Sequence, residues 1–287
     1  MGHAVLALAL TCATLWPVAA QQPTFSSRRE SVRVDVLVTD RGRPVAGLKA
    51  NDFELLDSGI PQAVELVSFA EFPITVTLAL DISTSITALE LEHLREAGHG
   101  VLTNLKRDDE AALLTFADAV TLRQPPTSDL AAARAALDAI ETVEPSFNSG
   151  TALVNASYAA LMLAGADASR QLLIAFTDGV DTSSWLPARG VLDTARTANV
   201  VAYAVSTSKL PGGSFARDLS EVTGGSAFEI ASTRDLRATF VRILDEFRQR
   251  YLLSYSPSNV PNPGWHPLTV RVKGRNVQTL ARRGYMR

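Results

Sequence analysis

Asp81, Ser83 and Ser85 stand at alternate positions directly after an apolar run, Val76-Thr77-Leu78-Ala79-Leu80. A carboxylate and two hydroxyls are costly to bury unless something pairs with them. They either cap the helix that follows or hold a ligand. Thr151, in Asn148-Ser149-Gly150-Thr151, precedes a second apolar helical pattern, and Asp178 follows the apolar run of "LLIAFTDG". Taken singly, each serine reads as a helix cap, Thr151 as an N-cap, and Asp178-Gly179 as a turn. Taken together, Asp81, Ser83, Ser85, Thr151 and Asp178 are two carboxylates and three hydroxyls. Such a set suits a hard, six-coordinate divalent cation whose shell is completed by water. Two negative charges roughly neutralise one Mg²⁺, and Mn²⁺ or Ca²⁺ would serve the same donors. Hydroxyls are weak ligands, so the ion would stay electron-poor. An acidic side chain of a partner protein is the natural source of the further oxygen.

Those residues can meet only if the chain brings them to one place. From Phe72 onward, strand-like apolar runs alternate with helical patterns. "ITVTLALD", "EAALLTFA", "RQLLIAFTDG", "VVAYAVST" and "SAFEIA" read as strands, and "AVTLRQ" as a short edge strand. Helical patterns lie at 87–105, at 128–141 with Ser128 or Asp129 as cap, at 152–166, at 188–199, and at 215–224 with Gly224 near its end. The run 233–250 reads as the last and longest helix. This alternation predicts a doubly wound, mostly parallel, Rossmann-like sheet with helices on both faces. In such sheets ligands sit beyond the carboxyl ends of the strands, where strand order reverses. The common order 3-2-1-4-5-6 sets the strand ending at Asp178 beside the one ending at Asp81, with Thr151 in reach of the same crevice.

The flanks differ. Val32, Val34, Val36 and Val38 alternate as in a strand with one buried face, and "QAVELVSF" adds another strand. After Arg250, "YLLSYSPSN", "HPLTVRVKG" and "VQTLARRGYMR" are again strand-like. Neither flank suffices for a domain alone. The expected organisation is a signal segment at 1–20 and a β-rich segment at 21–71. An α/β domain follows at 72–250, and residues 251–287 pair with the first flank as a smaller β-sandwich-like domain.

The 287-residue chain has a formal net charge of −3, so no basic excess argues for nucleic acid. The first twenty residues carry no charged side chain and end in Val18-Ala19-Ala20 before a polar stretch. That pattern predicts export with cleavage after Ala20, to the periplasm, the cell surface or the medium. The only cysteine, Cys12, lies in that segment, so the mature chain has neither disulfides nor thiolate metal ligands. Serine-hydrolase, dinucleotide and P-loop motifs are lacking. Mg²⁺-dependent phosphoryl transfer from Asp81 would need a second acid or base and a cationic phosphate clamp, and Ile82-Ser83 supply neither. No catalytic residue is assigned.

Asp81-Ile82-Ser83-Thr84-Ser85, with Thr151 and Asp178-Gly179, resembles the metal-ion-dependent adhesion site of von Willebrand factor type A domains. The three pieces occur in order, each at the matching point of the α/β alternation. The flanks resemble those of a bacterial family of secreted proteins related to these domains. The resemblance implies direct metal contacts from Ser83, Ser85 and Thr151, with Asp81 and Asp178 acting directly or through water. It implies adhesion or protein binding; a scaffolding role without an external metal-bridged ligand is the alternative.

Overall fold

The structure is a computed structural model that describes residues 31–67, 72–143, 150–164, 169–210, 214–261 and 263–287. The leader and cleavage site read at 1–30, with Cys12, lie outside the described residues, as do Asn148 and Ser149.

The first flank folds as its alternation predicts. β1 (Val32–Asp40) turns Val32, Val34, Val36 and Val38 inward. A tight turn at Arg41-Gly42, both at positive φ, leads to β2 (Arg43–Pro44). Ser58-Gly59 does the same between β3 (Phe53–Asp57) and β4 (Ile60–Gln62). Turns of this hand match the twist of the strands they join. β5 (Glu65–Val67) ends the flank.

The α/β unit then runs β6 (Ile74–Asp81), α1 (Ala88–Asn104), β7 (Glu110–Phe116), β8 (Val120–Thr127), α2 (Leu130–Asp138) and α3 (Leu153–Leu163). It continues through β9 (Arg170–Thr177), α4 (Ala188–Thr197), β10 (Val200–Ser206), α5 (Phe215–Thr223), β11 (Ala227–Glu229) and α6 (Leu236–Arg248). The sheet order is β11-β10-β9-β6-β7-β8, which is the expected 3-2-1-4-5-6 read from its other edge. All pairings are parallel except that of β8. β8 carries Pro125 and Pro126, which an edge tolerates. Leu91, Leu94 and Val101 of α1, Leu137 of α2 and Phe240, Ile243 and Phe247 of α6 pack on one face of the sheet. Residues of α3, α4 and α5, among them Leu161, Val191 and Leu219, cover the other. β6 and β9 are buried along their whole lengths, as continuous apolar runs covered on both faces should be.

Two helix readings are corrected. The longest helix is α1, with 17 residues against 13 for α6. The last helical run is shorter because Thr233–Asp235 tighten into a 3-10 turn capped by Ser232. The pattern read to residue 166 stops its helix at Leu163.

β12 (Tyr251–Tyr255), β13 (Trp265–Val272), β14 (Gln278–Leu280) and β15 (Gly284–Met286) complete the chain. They interleave with the first flank in two antiparallel sheets, β14-β1-β12-β5 with β2 on β1, and β15-β13-β3-β4. Apolar side chains from both sheets, including Val34, Val36, Leu55, Leu253 and Val270, share one core.

At the heart of that sandwich lies a carboxylate. Asp57 is fully buried and accepts from Tyr255 Oη (2.8 Å) and Tyr285 Oη (2.9 Å) on Oδ2. Its Oδ1 lies 3.0 Å from His266 Nδ1 and 3.1 Å from Ser58 Oγ. Four strands of both sheets thus converge on one acid. Burial alone would raise the Asp57 pKa, but the hydrogen bonds from Tyr255, His266, Tyr285 and Ser58 outweigh it and hold the carboxyl below its ordinary value. Asp57→Ala should cost on the order of 3 kcal/mol, because it strips partners from buried hydroxyls. Urea unfolding checks this; a loss below about 0.5 kcal/mol, within the range of a neutral surface substitution, would mean that the cluster does not hold the sheets together. A lowered folded pKa gives stability that is present above the unfolded carboxylate pKa and is lost as pH falls through the folded value. The variant should therefore lose less stability on acidification than wild type.

Candidate metal centre

Parallel pairing brings the ends of β6, β7 and β9 to one pole. Asp81 stands opposite Phe116, and Leu80 opposite Phe176. Asp81 is wholly buried. Its Oδ1 accepts from Ser83 N (2.9 Å), which turns the chain sharply, and a bond from Ile86 N to Ser83 O (2.9 Å) closes the turn. The hydroxyls of Ser83 and Ser85 then lie 3.1 Å apart. Ser83 is buried and Ser85 exposed.

Neither serine caps α1. That position belongs to Thr87, whose Oγ1 accepts from Glu90 N (3.3 Å) while Glu90 Oε2 accepts from Thr87 N (2.9 Å). The reciprocal box satisfies the helix start. The two serine hydroxyls are thereby left for other work.

Thr151 is buried at the same pole. Ala152 N donates to Ala117 O (2.6 Å) in the loop after β7. Thr151 O accepts from Thr182 N (2.9 Å) and Ser183 N (3.2 Å), and Thr151 N donates to Thr182 Oγ1 (2.9 Å). Thr151 is not the N-cap of α3; Ala152 holds that position and has no side chain to cap with. Asp181 caps from across the crevice instead. Its Oδ2 accepts from Val154 N (2.8 Å) and Ser184 Oγ (2.6 Å). Asn155 adds two bonds, N to Ser184 Oγ (3.0 Å) and Oδ1 from Leu186 N (3.1 Å). The loop after β9 is thus stitched to the start of α3. A Cβ at Gly150 would fall 1.5 Å from Ser183 Oγ and 2.9 Å from Ser183 Cβ, so any larger residue there would have to displace the Ser183 side chain.

Asp178 lies half-buried just past β9, where its carbonyl accepts from Ser208 Oγ. Among the described residues, none hydrogen-bonds to its carboxylate. Between the two acids stands Thr177, which donates to Asp81 Oδ2 (2.8 Å) and accepts from Gly179 N (3.2 Å). Burial raises the Asp81 pKa, and the charge of Asp178 raises it further, against hydrogen bonds from Ser83 and Thr177 that lower it.

Asp81 ends β6, and Ser83, Ser85, Thr151 and Asp178 lie in loops at the same pole. Sequence reasoning missed Thr177 and the capping by Asp181, although the "TDGVD" string contains both. Among the described residues no cluster of three or more His, Cys, Asp or Glu could hold a metal. A cation site among them would have to draw on hydroxyls.

The family model of the von Willebrand factor type A domain matches residues 75–242. Among solved structures, a von Willebrand factor type A protein from Catenulispora acidiphila is similar over 89% of this chain and 73% of its own, at 14% identity and a TM-score of 0.55. Proximal thread matrix protein 1 from the mussel byssus, with a zinc-occupied MIDAS motif, is similar over 66% of this chain and 49% of its own, at 18% identity and a TM-score of 0.52. An aerotolerance-related membrane protein from Bacteroides fragilis is similar over 61% of this chain and 99% of its own, at 16% identity and a TM-score of 0.50. At these identities the likeness is one of fold. Comparison with curated proteins gives no match.

The division of labour at the helix starts is testable. Thr87→Ala should cost about 1 kcal/mol of stability, the usual value of a lost cap. Ser83→Ala, which removes no cap, should leave the start of α1 as protected from hydrogen exchange as in wild type. Equal fraying of α1 in both variants would return the serine to a capping role.

Proposed function

The chain belongs to the von Willebrand factor type A domain family, and from that membership we propose that it is a secreted protein-interaction module. In this reading Asp81, Ser83, Ser85, Thr151 and Asp178 hold a divalent cation, Mg²⁺ by preference, at which an acidic side chain of a partner protein is captured. The observation that carries the reading is the release of the hydroxyls from structural duty. Thr87 and Asp181 cap the two helices, so Ser83, Ser85 and Thr151 are not needed there.

The donor set fits such an ion. Every side chain offers oxygen, and the two carboxylates are close enough for Asp178 to raise the pKa of Asp81. Two like charges in a partly desolvated crevice repel each other, and a hard cation relieves that. When bound, the ion would act as a Lewis acid toward one carboxylate oxygen from outside.

The chain's own residues do the rest. Thr177 and the Ser83 amide orient Asp81, one on each oxygen. The stitched loop holds Thr151 and Asp178 on a common frame. That loop also exposes Val180 and Trp185, at 77% and 81% of their surfaces. An apolar pair beside an acid-capturing site suits a partner whose carboxylate is flanked by apolar side chains.

Among the described residues no arrangement at this pole offers an activated nucleophile or a phosphate clamp, and the reading is of binding rather than turnover. Export rests on the leader of the sequence, and no described helix is long and apolar enough to cross a membrane.

Mg²⁺ or Mn²⁺ should raise the melting temperature, and EDTA should reverse the gain. Binding to the folded state alone adds about 2.7 kcal/mol at a hundredfold excess over the dissociation constant. Asp178→Ala should abolish the gain and, with it, metal-dependent retention of any partner from the extracellular fraction. Melting curves that ignore both metal and chelator would remove the cation from the mechanism. The exported chain should begin at Gln21, which intact-mass measurement reads directly; a retained Met1 would mean that the leader is kept as an anchor.

A further inference from the structure

A second concave site lies at the opposite pole, under the amino-terminal ends of β9 and β10 where the α/β unit meets the sandwich. The cavity measures about 270 Å³ and is lined by Arg33, Asp35, Arg170, Gln171, Asn199 and Arg282, among others. Three arginines and one aspartate thus line it.

Asp35 is already engaged. Its Oδ1 accepts from Arg170 Nε (2.9 Å) and from Arg170 Nη2. Arg170 is 4% exposed, and its Nη1 is a buried donor without a hydrogen-bond partner among the described residues. Arg282 is also buried and spends its donors on neutral carbonyls, Nε on Gly284 O (3.0 Å), Nη1 on Ala198 O (3.2 Å) and Nη2 on Arg196 O. Those bonds satisfy its hydrogens and leave its charge in place. Burial pushes its pKa down to about 10, against the pull of Asp35, so it stays protonated at neutral pH. Arg33, exposed on β1, has no carboxylate partner among the described residues. One acid therefore answers three cations, two of them buried and the third at the mouth of the recess. Surplus buried charge is expensive unless a counter-charge meets it.

We propose that this cavity binds a small-molecule oxyanion, a carboxylate or phosphate group held by the fork of Arg33 in the field of the buried Arg170 and Arg282 charges. Arginine forks suit both groups through paired N–H donors. Asn199, exposed at the rim, adds an amide donor. The volume is close to the lower range of small-ligand pockets and suits a compact metabolite-sized anion. A guanidinium-lined recess of this kind is independent of the cation reading at the other pole. Seven residue steps of β9 separate them, roughly 23 Å at strand rise.

The test is calorimetric titration of the full chain in EDTA with inorganic phosphate and, separately, with citrate, each against sodium chloride of matched ionic strength. One saturable site for either probe is expected, and the stronger probe identifies the group. Arg33→Glu should weaken binding at least tenfold while its melting temperature in chloride stays within a degree of wild type. Arg33→Ala should fall between the two. Asp178→Ala should bind as wild type does. Absence of saturable binding by both probes up to tens of millimolar would overturn the proposal. So would wild-type affinity in Arg33→Glu, or loss of binding in Asp178→Ala.

Discussion

Asp81 ends a strand that is buried along its whole length, and its carboxylate has no solvent of its own. Much of the α/β unit can be read as a response to that constraint. A buried carboxylate must be hydrogen-bonded or neutralised. β9 has to lie beside β6 so that Thr177 can reach one oxygen. The chain has to turn at Ser83 so that its amide can reach the other. These two donors hold the acid without cancelling its charge, and Asp178 adds a second negative charge nearby. The unit thus positions an electrostatic deficit at its surface. The proposed cation is the simplest group that would close it.

The sandwich follows from where an α/β unit of this kind begins and ends. Its first strand, β6, enters from the pole opposite the candidate site. Its last helix, α6, runs back toward that same pole. Both flanks therefore emerge together, and β1 pairs with β12 as soon as α6 has ended. The junction is held by polar contacts rather than apolar ones. Arg170 at the start of β9 reaches Asp35 of β1 and Phe247 O of α6 (3.2 Å). Arg250, fully buried between α6 and β12, donates to Tyr203 Oη (2.7 Å), which in turn donates to Glu246 (2.6 Å). Such contacts have narrow geometric tolerance, so they fix orientation as well as distance. The candidate metal pole is left clear of the flanks.

What the sequence disclosed and what it withheld divide along chain distance. Apart from β3 and β4, which the flank's pattern did not reveal, strand periodicity and the order of the sheet are local or follow from topology and could be read. The cap of α3 could not, because Asp181 lies 27 residues from Val154 and the contact exists only after folding. Asp57 and His266 are 209 residues apart, so nothing local to either marks the pair. Likewise, nothing beside Arg282 in the sequence marks it as buried among the carbonyls of Arg196 and Ala198. The shortened last helix was hidden by a smaller effect, since Thr233–Asp235 have the pattern of a first helical turn but take 3-10 geometry behind Ser232.

Net charge was the least informative observation for the same reason. A formal value of −3 excludes a uniformly basic surface and says nothing of how charges are arranged. Folding sorts them along the strand direction. Asp81, Asp178 and Asp181 collect where β6 and β9 end, close to the starts of α1 and α3, whose amide dipoles favour negative charge. Arg170, Arg248 and Arg250 collect at the other pole, where α1 and α6 end, beside Asp35, Asp109 and Glu246 respectively, and Arg248 donates to Asn104 O (3.2 Å) at the end of α1. Carboxylates beside helix starts and guanidiniums beside helix ends lower the energy of both. The polarity is therefore a property of the parallel α/β arrangement itself. Averaging over the chain conceals that arrangement.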